Sequence, residues 1–123
     1  TATTSVVPVF PGEALRPGTV VVAIGAYTSG MQEIDTTTFD RAARVFADVP
    51  EKVAEIGDIV EADFVRADLV PFSSLLTGAA GREADDEILV VESVGSSVMD
   101  AAAAAYVYDR VEAAGLGTTV SFD

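Results

Sequence analysis

Cysteine and histidine are both absent from the 123-residue chain, and lysine occurs once, at Lys52. Without cysteine there is no disulfide, thiolate zinc site or thiol nucleophile, and without histidine no Ser-His-Asp triad and no imidazole metal ligand. Long apolar runs are missing too. The longest, such as residues 19–26 and 88–91, fall far short of the roughly 20 residues a membrane helix needs, and no charged-then-apolar leader opens the chain. A soluble, cytoplasmic protein is expected. The basic residues are scattered singly as Arg16, Arg41, Arg44, Lys52, Arg66, Arg82 and Arg110, so nucleic acid, whose phosphates are bound by Lys and Arg clusters, is a poor partner.

Acid is what the chain has in excess: 20 acidic residues against 7 basic give a net charge of −13. Half of the residues are hydrophobic and the mean hydropathy is +0.38, so disorder is disfavoured and a single domain with a real core is expected. Dense carboxylates with almost no lysine, on a chain rich in Ala and Val, fit adaptation to molar cytoplasmic salt, which screens their repulsion.

Residues 19–24 form a β-branched apolar run ending at Gly25, the pattern of a parallel strand buried on both faces. Asp35 is placed to cap a helix over residues 36–43, and residues 44–48 read as a second strand. Pro50 opens a helical pattern over residues 52–59, and residues 72–76 form another that Gly78 closes. A third strand spans residues 87–92. The serines of Ser93-Val94-Gly95-Ser96-Ser97 then cap the strongest helix, at about residues 96–114, which Gly115 stops. Residues 118–122 suit a short edge strand. Strand alternating with helix without internal repeat predicts an α/β, Rossmann-like parallel sheet with flanking helices. The opening Thr1-Ala2-Thr3-Thr4-Ser5 resembles a polar turn whose strand is missing, which suggests a fragment.

Such sheets bind ligands at the carboxyl ends of their strands, which directs attention to the junctions at residues 1–5, 25–31 and 93–97. Each is built from small polar residues and glycine, which let backbone N–H groups approach a ligand. No complete G-x-G-x-x-G occurs. The adjacent acids Asp85, Asp86 and Glu87 read as a solvated face rather than a metal site.

In order and spacing, Thr1-Ala2-Thr3-Thr4-Ser5, Leu15-Arg16-Pro17-Gly18-Thr19, Ala23-Ile24-Gly25-Ala26, Gln32-Glu33-Ile34-Asp35, Gly57-Asp58, Ala84-Asp85-Asp86-Glu87-Ile88 and Ser93-Val94-Gly95 resemble the C-terminal part of the ornithine cyclodeaminase/mu-crystallin family. The resemblance spans essentially the whole chain, which would be the last third or so of a full-length member. It implies part of a dimeric, two-domain NAD- or NADP-dependent oxidoreductase of amino acids or imino acids, with the substrate domain and pyrophosphate turn N-terminal to Thr1. It also implies that Thr1, Ala2 and Thr3 line the dinucleotide groove, that Ile24, Gly25 and Ala26 lie beside the nicotinamide, and that Ser93 and Val94 close the pocket.

Two positions depart from the pattern that the resemblance carries. Tyr27 stands where cyclodeaminases have an acid/base aspartate, and Met31, which reads as packing, stands where many members have lysine. A phenol keeps its proton at neutral pH, so Tyr27 suits proton donation to an imine nitrogen better than service as a base. The resemblance therefore favours a ketimine reductase over a cyclodeaminase, with Tyr27 as the catalytic residue. The alternative is a mu-crystallin-like module that binds cofactor or a partner without turnover. The chain alone is expected to be inactive.

The charge makes its own prediction. Thermal stability should climb steeply between dilute buffer and molar KCl as the self-repulsion of −13 charges is screened. A melting temperature that stays flat across that range in a calorimetric series would remove the salt-adaptation reading.

Overall fold

The computed structural model describes residues 1–64 and 68–121. Arg66 and Phe122 therefore lie outside the described residues. After a 3-10 turn at Gly12–Ala14, four strands form: β1 Val20–Ala23, β2 Ala42–Ala47, β3 Leu69–Pro71 and β4 Ile88–Glu92. The helices are α1 Thr36–Arg41, α2 Pro50–Val53, α3 Gly57–Glu61, α4 Ser73–Thr77 and α5 Ser97–Ala113. The strands make one sheet in the order β1-β4-β2-β3, parallel at every pairing. The expected α/β parallel sheet is what forms.

Helices α1 to α3 cover one face of the sheet, where Phe39, Val53 and Ile59 meet Val21, Val45 and Val90. Asp35 caps α1 by accepting from the Thr38 N–H at 2.8 Å, and its other oxygen takes the Gly12 N–H at 2.8 Å. Burial pushes this carboxyl up, but the hydrogen bonds from Gly12 and Thr38 outweigh it and hold Asp35 below the usual carboxylate range.

Several elements differ from their sequence-based expectation. Strand β1 is not buried on both faces: Val21 and Ala23 face the core while Val20 and Val22 remain half exposed. All three covering helices stand on the side of Val21. Helix α1 stops at Arg41 because Ala42 is already extended and begins β2. The helix expected over residues 52–59 is split into α2 and α3. Ile56 is extended between them, and the Gly57 N–H donates to the Thr28 carbonyl at 3.0 Å, so the chain turns toward the residue 28–31 loop instead of continuing.

Strand β3 is short, and Pro71 in it is tolerated because β3 is an edge strand. In residues 118–121 no strand forms. Ser96 occupies the N-cap of α5 without a side-chain capping bond, so the capping role expected of the serine cluster is not seen there. None of the residues of α5 is buried. No described helix is long and apolar enough to cross a membrane.

The break between α2 and α3 depends on a missing side chain. A Cβ on Gly57 would stand 2.0 Å from the Met31 carbonyl oxygen, whereas one on Gly30 would meet nothing within 4 Å. Gly57→Ala should lose about 2–3 kcal/mol in urea denaturation, with Gly30→Ala within about 0.5 kcal/mol of the parent. Equal midpoints for the two variants would contradict this packing.

Candidate functional site

Register brings the candidate residues together. Ala23 of β1 and Ala47 of β2 both pair with Glu92 of β4, so the segments leaving these strands emerge at one level. Thr1 joins them by ladder-like bonds along β1, its amino group donating to the Val22 carbonyl at 2.7 Å and its carbonyl accepting from the Ile24 N–H at 3.0 Å. The Ser93 N–H donates to the Ala23 carbonyl at 3.0 Å. Thr1, Ala2, Thr3, Ile24, Gly25, Ala26, Ser93 and Val94 thus form one edge.

Their orientations differ. Ile24 is 54% and Tyr27 65% exposed, and Ala2 and Thr3 are exposed as well. Ala26 is buried in the core, and Met31 packs there as its sequence context suggests. The serine cluster serves the edge rather than α5. Ser93 Oγ donates to Asp48 at 2.6 Å, and the N–H groups of Val94 and Gly95 donate to the same carboxylate at 3.3 and 2.9 Å. Asp48, at the end of β2, therefore shapes the Ser93-Val94-Gly95 turn.

Sequence reasoning missed the acids beneath this edge as functional residues. Glu33 and Asp58 are wholly buried, and Glu92 is 1% exposed. Glu33 accepts from the Thr3 N–H at 2.5 Å, the Gly25 N–H at 2.7 Å and the Thr1 hydroxyl at 3.0 Å. Burial raises its affinity for protons, but these bonds prevail and hold Glu33 below the usual range. Burial pushes Asp58 up despite the backbone N–H groups it accepts, and the Glu33 charge adds to the rise. Glu92 is pushed well above the usual range by burial and then by Asp58 and Glu33, against the opposing amino group of Thr1. The available signal was an acid ending an otherwise apolar strand, Ile88-Leu89-Val90-Val91-Glu92.

Arg41, Arg44 and Arg82 sit at the other end of the sheet. Arg82 donates to the Gly18 carbonyl before β1 and the Glu87 carbonyl before β4, Arg41 reaches Gly12 and Leu15, and Arg44 pairs with Glu83 and Glu87. Glu87 is thereby engaged, while Asp85 and Asp86 are exposed, and no acidic metal cluster occurs among the described residues.

The sequence pattern of the ornithine cyclodeaminase/mu-crystallin family matches residues 1–115. The chain belongs to that family. It is 33% identical to a Delta(1)-pyrroline-2-carboxylate reductase of Bacillus cereus over 99% of its own length and 39% of the relative's. Among solved structures it resembles a probable ornithine cyclodeaminase from Bordetella pertussis, with TM-score 0.80 and 36% identity over 97% of this chain and 40% of that one. It also resembles the Thermococcus litoralis Delta(1)-pyrroline-2-carboxylate reductase in complex with NADH and L-proline, with TM-score 0.83 and 28% identity over 97% and 39%. The chain spans about two fifths of the length of the curated relatives it matches.

The donor set at the edge limits the charge of what can approach it. Carboxylates lie beneath and beside it, and no Arg or Lys side chain takes part in its hydrogen bonds among the described residues. A pyrophosphate does not fit such surroundings. A neutral or cationic group suits them better.

Glu92 yields a pH prediction. Its carboxyl binds a proton more tightly folded than unfolded, so the stability that Glu92 contributes is fully present below the ordinary glutamate range and is lost as pH rises from there through the raised folded value. Glu92→Gln should flatten that fall, raising Tm by about 5 °C at pH 8 and leaving it unchanged at pH 4. A Glu92→Gln Tm below the parent's at pH 8 would contradict a protonated Glu92.

Proposed function

We propose that this chain is the nicotinamide-facing part of an NAD- or NADP-dependent imine reductase acting on a cyclic or open imino acid such as a pyrroline or piperideine carboxylate. The observation that carries the reading is Tyr27, a strongly exposed phenol with no hydrogen-bond partner among the described residues. It directly follows the Gly25-Ala26 turn at an edge suited to nicotinamide. The chain's match over nearly its whole length to a pyrroline-carboxylate reductase supports the same direction of chemistry.

A bound nicotinamide cofactor would supply the hydride. The chain's own residues do the rest of what this segment contributes. Thr1, Ala2 and Thr3 wall the groove on one side, exposed Ile24 offers an apolar surface beside Gly25 and Ala26, and Ser93 and Val94 close the other side, held by Asp48. Ala26 contributes through its backbone, since its side chain is in the core. Tyr27 donates a proton to the imine nitrogen. It replaces no buried acid in this task, because Glu33 is spent on the turns and Glu92 is closed to solvent. The complete enzyme is proposed to be a cytoplasmic homodimer.

The complete gene product should reduce Delta(1)-pyrroline-2-carboxylate with NADH or NADPH and form little proline from ornithine. Tyr27→Phe should lower kcat for imine reduction about 10–100-fold with little change in the KM for cofactor. The 123-residue chain alone should bind NADH no tighter than about 1 mM by calorimetry and turn over neither substrate. Full reductase activity in Tyr27→Phe would remove the phenol from the mechanism, and robust ornithine deamination would replace the proposed reaction.

A further inference from the structure

We propose that Glu33 is a positioning residue that fixes the residue 1–3 turn against the Gly25-Ala26 turn, and that Asp58 aims it. The inference rests on the cofactor reading above for its consequence, but its geometry stands on the fold alone. Glu33 is wholly buried, and nearly every polar atom it has is engaged. Its N–H and that of Ile34 donate to Asp58 Oδ1 at 2.7 and 3.0 Å. Its carbonyl accepts from the Val9 N–H at 2.8 Å. One carboxylate oxygen takes the Thr3 N–H, and the other takes the Gly25 N–H and the Thr1 hydroxyl.

This is a relay through three parts of the chain. Asp58 stands in the first turn of α3, holds the backbone at residues 33 and 34, and so points the Glu33 side chain at two turns that are distant from each other in sequence. The turns are in direct backbone contact: a Cβ on Gly25 would stand 2.2 and 2.4 Å from the Thr3 carbonyl oxygen and nitrogen. Neither turn has a side chain of its own that spans this junction, apart from the Thr1 hydroxyl that also ends on Glu33. Two acceptor oxygens meeting three donors is an arrangement that a carboxylate satisfies and an amide does not, because one amide position presents N–H to N–H. A residue that never reaches the groove thereby sets the spacing of its wall.

Besides the amino group of Thr1, whose hydroxyl donates to Glu33, the titratable groups facing Glu33 are Asp58 from α3 and Glu92 from β4. Both are held above the ordinary carboxylate range, and Glu33 below it. Glu33 should therefore be ionised at neutral pH, and its protonation should be felt at two amides together.

The first experiment follows amide shifts and hydrogen exchange by NMR in the unmodified chain. The Thr3 and Gly25 amide protons should titrate as a pair, with one midpoint below the ordinary glutamate value. Separate midpoints, or none, would overturn the proposal without any variant having to fold. In Glu33→Gln the shared titration should vanish and exchange at Thr3 and Gly25 should quicken at least about tenfold, while Val45 and Val90 amides in the sheet keep their protection. Asp58→Asn should quicken the same two amides by less. Unchanged Thr3 and Gly25 protection in Glu33→Gln would equally overturn the positioning role. In the complete gene product, Glu33→Gln should weaken NADH binding about tenfold. Failure of the unmodified gene product to bind NADH would sink the cofactor reading alone, since the amide results decide the position of Glu33 independently.

Discussion

The parallel alignment of β1, β4 and β2 is the constraint on which everything else depends. Strand β4 lies between the other two, and Glu92 is level with Ala23 on one side and Ala47 on the other. Because all three strands run the same way, their carboxyl ends coincide, and the loops that follow must leave together. A slip of one residue would send Glu92 to the opposite face and carry Ser93 away from Asp48. The apolar side chains of Val21, Val45 and Val90 under α1 to α3 make such a slip costly.

On this frame the chain divides its charges by position. Arginines bind carbonyls and acids near the amino ends of the strands, and carboxylates gather at the carboxyl ends, the buried Glu33 and Glu92 among them. The acids there serve different purposes. Asp48 holds the Ser93 turn, Glu33 satisfies several donors from turns, which favours its ionisation, and Glu92 has a buried oxygen with no partner and is pushed toward the protonated form. Glu33, Asp58 and Glu92 lie so close that they cannot all carry full charge at low cost. The result is an edge whose backbone is held from below while its outer surface, with Ile24 and Tyr27, stays open.

Two surfaces find no cover among the described residues: the outer side of β1 at Val20 and Val22, and α5 along its length. Helix α5 is sustained by local means, with five consecutive alanines of high helical propensity and Arg110 stacked over the Tyr106 ring at 4.7 Å. That is why its boundaries were readable from sequence although none of its residues is buried.

The same logic separates what the sequence determined from what tertiary structure decided. Features set by neighbours in the chain were legible: the β-branched strands at residues 20–23 and 88–92, the Asp35 cap, the stop at Gly78 in left-handed conformation, and the sequence blocks that mark the family. Features that depend on residues far apart were not. The break of the residue 52–59 helix comes from Gly57 meeting the Met31 carbonyl, and the exposure of Val20 and Val22 from helices gathering on one face. The tasks of Glu33, Asp48 and Asp58 come from donors as far as 47 residues away, and Glu92 is set apart by burial beside other acids. A carboxylate in a sequence looks like any other until folding fixes which N–H groups surround it, and only that surrounding tells a solvated surface acid such as Asp85 from a buried one that holds two turns together.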